Sequence, residues 1–162
     1  RPELSVLLSY DKIVIFNQML DSDVPEDPYL SKELVRYFPR ALQDTYAQDM
    51  ENHRLRREII ATAVTNSTVN RMGSTFLLRM QEDTGASPAQ IAKAYTISRE
   101  VLDARELWAG IDALDLQVPE SAQLDALLDN RGRMDAHGRG LLRRCPDWRS
   151  ASRSSCASLR RS

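Results

Sequence analysis

Four side chains near the middle of this 162-residue sequence have types and spacing suited to recognition chemistry: Arg57, Asn66, Asn70 and Arg71. Asn66 and Asn70 belong to the polar string Thr65-Asn66-Ser67-Thr68-Val69-Asn70-Arg71, which would suit a polar pocket or a subunit contact. A buried amide must find hydrogen-bond partners, so the plainer expectation is that these residues bond to neighbouring helices and fix their register. Arg57 sits among Arg54, Arg56 and Glu58, a charged cluster that could hold an anion. Adjacent arginines point in different directions around a helix, so a solvated rim of ion pairs is the plainer reading.

Groups able to break or make bonds are harder to find. The sequence has no GxGxxG or GxxxxGK[ST] loop to cradle phosphates, no HExxH and no GxSxG. Only Lys12, Lys32 and Lys93 offer an amine, and none has a glycine-rich setting. His53 and His137 are far from any partner in sequence. Cys145 and Cys156 lack the close spacing of a zinc knuckle. One missing motif says little, but their joint absence in a chain with almost no strand signal says more. A dinucleotide-binding fold needs several parallel strands. The residues therefore predict no catalytic, cofactor or metal site in this stretch.

The elements that carry these side chains read as helices throughout, punctuated by proline and glycine. Pro2 opens a helix to Leu20 whose apolar residues cover most of its circumference, so several neighbours should bury it. After Pro25, a short helix spans Pro28 to Phe38, with Leu30, Leu34, Val35 and Phe38 inward. Pro39 ends it and opens another, which uses Leu42, Tyr46 and Met50. From His53 to Thr84, Leu55, Ile59, Thr62, Asn66, Val69, Gly73, Phe76, Leu77 and Met80 share one stripe. It spans about 25 residues, roughly 38 Å of helix, interrupted only by Gly73. Ser87-Pro88-Ala89-Gln90 is a capping-box start that follows Gly85. Asp103 heads a helix with Leu107, Trp108, Ile111 and Leu114, and a last one begins near Pro119 with Leu124, Leu127 and Leu128. The expected fold is an all-α, irregular multi-helix bundle built on one long central helix.

Composition divides the chain into a helical domain, residues 1–130, and an Arg/Ser/Gly-rich tail, residues 131–162, which is expected to be disordered. Arg143, Arg144, Arg149, Arg153, Arg160 and Arg161 against Asp147 give the last twenty residues a charge of +5. With a total of −1, the other 142 residues carry −6. No apolar run approaches the roughly 20 residues that cross a bilayer. The near-neutral total gives no pull toward nucleic acid or an anionic membrane, and no leader pattern is present, so cytoplasm is expected. The opening Arg1-Pro2, without methionine, reads as part of something longer.

Three strings carry a family resemblance: RPELSVLLSYDKI from Arg1, PEDPYLSKELVRYFP from Pro25, and HRLRREIIATAVTNSTVNRMGSTF from His53, followed by GASPAQIAKAYTISREV from Gly85. In this order and spacing, over about residues 1–128, the chain resembles the C-terminal helical region of the large NAD-dependent glutamate dehydrogenases of bacteria. The resemblance implies a parent enzyme that converts L-glutamate, NAD and water to 2-oxoglutarate, NADH and ammonium. It also implies that the catalytic lysine and aspartate and the glycine-rich loop lie in domains preceding this region. None of those motifs has a counterpart here. The implied role is a structural or assembly segment, partnered by the catalytic domains of the same polypeptide and, through the parent, by further copies. Beyond Asp129 the sequence departs from the amphipathic Leu/Trp/Arg helix of the family, as a divergent or frame-shifted end would.

Two other readings compete. A free-standing helical interaction module would be encoded between its own start and stop. A nucleic-acid contact by the arginine tail would need interleaved aromatic side chains, and only Trp148 is there.

Overall fold

The computed structural model describes residues 2–144, which contain nine α-helices and one 3-10 turn and no strand. The all-helical expectation holds. Residues 145–162, which include Cys145, Cys156 and Trp148, lie outside the described residues.

Helix α1, Pro2–Leu20, starts at its proline as expected, since the first helical position needs no N–H. Its C-terminal half meets the core through Ile15 and Met19, which are buried. A turn follows at Val24–Glu26, with Val24 and Pro25 buried beneath it. Three short helices come next: α2, Lys32–Tyr37; α3, Arg40–Gln43; and α4, Ala47–Glu51. Leu30, Leu34 and Met50 face inward as predicted, whereas Leu42 and Tyr46 are exposed.

The long stripe expected from His53 to Thr84 is two helices, α5, Arg56–Met72, and α6, Phe76–Thr84. Gly73 separates them with φ 85° and ψ 162°, a backbone conformation open essentially to glycine alone. Its N–H still bonds the Val69 carbonyl at 2.9 Å, so α5 closes cleanly before the chain turns. The buried face of α5 also differs from the expected stripe through Leu55, Ile59, Thr62, Asn66 and Val69. Ile60, Ala61, Val64, Thr65, Thr68, Val69 and Met72 point inward, while Leu55 and Asn66 are exposed. Small and β-branched residues let other helices approach closely, and the Thr68 hydroxyl donates to the Val64 carbonyl (2.9 Å), so burying it leaves nothing unpaired.

Helix α7, Pro88–Val101, is the most enclosed element and packs against α1, α5 and α6, as well as two helices that follow it. Ser87 and Gln90 form the predicted capping box: the Gln90 N–H reaches the Ser87 hydroxyl at 3.3 Å and the Ser87 N–H reaches the Gln90 amide oxygen at 2.8 Å. Those following helices are α8, Ala104–Asp112, and α9, Glu120–Arg144. The shift in composition at residue 130 is no shift in structure. α9 runs unbroken across it, and Met134, Gly138, Leu141 and Leu142 are buried, with α9 lying along α7. Met134, Leu141 and Leu142 recur at helical spacing, which anchors the helix despite the glycines and arginines between them.

Candidate functional site

Polar side chains of α2, α7 and α8 meet in an ionic cluster with a buried centre and a solvent-exposed rim. Arg99 of α7 is 2% exposed and Glu33 of α2 is 5% exposed, and the Arg99 Nη2 donates to Glu33 Oε1 at 2.7 Å. The same carboxylate accepts from Arg36 Nη1 at 2.9 Å and from Arg105 Nη2 at 3.3 Å. Glu100, next to Arg99, accepts from Lys32 Nζ and the Tyr29 hydroxyl, each at 2.6 Å, and from Arg36 Nη1 at 3.3 Å. Deeper in, Arg99 Nη1 donates to the Ser67 hydroxyl at 2.9 Å, and the Tyr95 hydroxyl donates to the Ser67 carbonyl at 2.9 Å.

Charge balance sets the electrostatics. Burial alone would raise the Glu33 carboxyl, yet the guanidiniums of Arg99, Arg105 and Arg36 hold it below its ordinary value. Burial opposes ionisation of Glu100 too, but Lys32, Tyr29 and Arg36 bring it down to about 2. The Tyr29 phenol is pushed well up by burial and by the adjacent Glu100 carboxylate. Arg105 behaves oppositely to an ordinary paired arginine. Burial and the neighbouring Arg99 and Arg36 charges lower its pKa despite Glu33 and Glu100.

A second buried cation has a different job. Lys93 of α7 reaches Asp23 and Asp27, each at 2.9 Å, and so clamps the Val24–Glu26 turn onto the core. Near the end of α9, His137 Nδ1 lies 2.9 Å from the hydroxyl of the buried Ser98.

The residues predicted from sequence are spread along α5 and are not gathered into one site. Arg57 donates to the Leu20 carbonyl at 3.0 Å and pairs with Glu26, joining α5 to the end of α1. Arg71 lies 4.5 Å from the centre of the Trp108 ring and links α5 to α8 by a cation–π contact. Asn70 is exposed. Asn66 is not the buried amide its place in the stripe suggested: it is exposed, and it lines a shallow groove between α1 and α5 with Lys12, Ile13, Phe16, Thr62 and Thr65. The ionic cluster escaped the sequence reading because its central pair, Glu33 and Arg99, is 66 residues apart. Ser67 was the one member of the polar string that pointed to it.

The remaining surface feature is apolar. Val6, Leu7, Leu8, Tyr10, Ile13 and Val14 of α1 are exposed, with Val6 at 68% and Tyr10 at 65%. No group of three or more metal-ligating side chains comes together among the described residues. No helix among them is long and apolar enough to cross a membrane.

The comparisons with known proteins agree with one another. A family model described as glutamate dehydrogenase, C-terminal, matches residues 1–156. An NAD-specific glutamate dehydrogenase of Halomonas elongata is 45% identical over 128 residues, 79% of this chain and 8% of that protein. Its namesake in Pseudomonas aeruginosa is 43% identical over 134 residues, 83% of this chain and 8% of the relative. One from Mycobacterium tuberculosis is 32% identical over 141 residues, 87% of this chain and 9% of the relative. The chain thus spans less than a tenth of the length of these relatives.

Proposed function

The chain belongs to the glutamate dehydrogenase C-terminal family, and on that premise we propose that it is a non-catalytic docking and assembly segment of an NAD-dependent glutamate dehydrogenase. The parent would carry out the oxidative deamination of L-glutamate with NAD in the cytoplasm, and its catalytic domains would be the partners of this segment within one polypeptide. Copies of the parent would assemble partly through it.

The uncovered N-terminal half of α1 is the observation that carries this reading. Ile15 and Met19 fix the end of α1 in the core, while the preceding turns expose apolar side chains around much of the helix. A helix apolar on so many sides is covered by several neighbours in its native setting. The relatives are over ten times longer than the matched stretch, and that polypeptide supplies the covering surface.

The absence of strands among the described residues and the capped start of α7 support this reading as well. At the start of α7, Pro88 brings no N–H, while the Gln90 N–H is already taken by the Ser87 hydroxyl. A phosphate held at a helix start needs those amides free.

Expressing the parent enzyme as two chains, split just before this segment, tests the proposal. The segment should restore assembly and NAD-dependent turnover to its partner chain when added in trans. Val6→Asp with Tyr10→Asp should abolish that rescue without unfolding the segment. Turnover by the segment alone, or full activity of the partner chain without it, would sink the reading.

A further inference from the structure

We infer that the surface where α2 meets the start of α8 binds a small, doubly charged oxyanion, gripped by the guanidiniums of Arg36 and Arg105. Four cations converge there, Lys32, Arg36, Arg99 and Arg105, against two carboxylates, Glu33 and Glu100. The cluster therefore carries a net charge of +2 when all six groups are ionised. Asp103 and Glu106, the acidic neighbours of Arg105 in sequence, make no ion pair with it among the described residues.

Geometry turns that excess into a site. Arg36 and Arg105 contact the two oxygens of one Glu33 carboxylate, which holds their guanidiniums side by side. Every hydrogen bond of Arg36 runs through Nη1, and every one of Arg105 through Nη2, among the described residues. A guanidinium has five N–H donors in a planar fork, so each keeps donors beyond those Glu33 uses. Both side chains open to solvent, at 43% and 50% exposure, whereas Arg99 behind them is closed in. Two forks held on one buried carboxylate suit a phosphate or a dicarboxylate, which accepts paired N–H donors. The lowered basicity of Arg105, which follows from its burial and the charges of Arg99 and Arg36, fits a position that an anion relieves.

Titrating inorganic phosphate, and in a second arm succinate, into the chain at constant ionic strength made up with chloride tests the inference. The backbone amide resonances of residues 33–37 and 103–107 should shift saturably. Arg36→Gln and Arg105→Gln should each weaken binding about tenfold, the usual effect of losing a charged hydrogen bond. Arg79→Gln, which removes an equal charge elsewhere on the surface, should change nothing. In phosphate-free chloride buffer, Arg105→Gln should keep the melting temperature of the parent chain, since it also removes like-charge repulsion. Tighter binding of succinate assigns a dicarboxylate ligand and tighter binding of phosphate assigns a phosphorylated one; either supports the site. Non-saturating shifts matched by chloride, an Arg105→Gln titration identical to the parent, or a destabilised Arg105→Gln chain would each overturn it.

Discussion

At the scale of single residues, the Glu33–Arg99 pair is where a small change should cost most. Both groups are closed off from water. Removing Arg99 strips the buried Glu33 carboxylate of its one buried cation and leaves it only the solvent-exposed Arg36 and Arg105. Arg99→Met should therefore destabilise the chain by about 3–5 kcal/mol. Replacing both, as Arg99→Met with Glu33→Leu, should recover most of that loss, because the half-exposed Arg36 and Arg105 can turn to solvent. Urea denaturation of the two variants measures both effects, and a double variant no better than the single would show that the pair adds net stability.

Acid should act through the same carboxylates. Glu33 and Glu100 titrate below 4.5 in the folded chain, Glu100 at about 2, so the stabilisation from their charged forms is fully present above pH 4.5 and is lost as the pH falls toward 2. His137 acts earlier. Burial and the nearby Arg144 charge lower its pKa from 6.5, so the unfolded chain takes up the proton first and stability falls as the pH drops below 6.5. His137→Gln should flatten the fall in melting temperature between pH 7.5 and 5.5, a window in which the two carboxylates stay ionised. An unchanged slope would remove His137 from the explanation.

At the scale of elements, two glycines with opposite environments separate backbone need from packing need. Gly73 holds a positive φ, and a Cβ there would also come within 3.0 Å of Arg131. The arginine tip can move aside but the backbone cannot, so Gly73→Ala should cost about 1–3 kcal/mol. Gly138 lies inside α9, where a Cβ would meet the Ser98 hydroxyl at 3.6 Å and Met80 at 3.8 Å, ordinary contact distances. Gly138→Ala should be neutral or stabilising by up to about 1 kcal/mol, from helix propensity. Thermal melts of the two variants give the contrast directly.

These same elements show what was legible in the sequence and why the rest was not. Starts and stops written in side-chain chemistry were readable: Pro2, the Ser87–Gln90 box and Gly85 all sit where expected. The face of α5 was misjudged because the stripe was drawn through Leu55, Ile59, Thr62 and Asn66. That register lies next to the buried one of Ile60, Ala61, Val64 and Thr68, where small residues let other helices pack closely. The continuation of α9 was hidden by composition, since arginine and glycine dilute a stripe that needs only Met134, Leu141 and Leu142 to dock. The ionic cluster was invisible because tertiary folding alone brings residues 33, 36, 67, 99 and 105 together.

For the whole molecule, the contrast between a filled core and an uncovered α1 makes a prediction about behaviour outside the parent. The core closes on Phe76, Tyr95, Ile60, Met80 and Ile91, while Val6, Leu7, Leu8 and Tyr10 of α1 stay exposed. Substituting exposed residues there should scarcely change folding free energy, within about 0.5 kcal/mol, because those side chains meet water in the described structure. The same apolar surface should make the separate chain self-associate, since burying it against a second copy is favourable at about 25 cal/mol per Å². Val6→Ser, Leu7→Ser, Tyr10→Ser and Ile13→Ser together should thus leave the melting temperature in place while shifting the chain to monomer in sedimentation velocity. Ile15→Ser, two residues further on and buried, should instead unfold it. If the fourfold variant melted as early as Ile15→Ser, the N-terminal half of α1 would belong to the core of this segment, and the docking role proposed for it would fail.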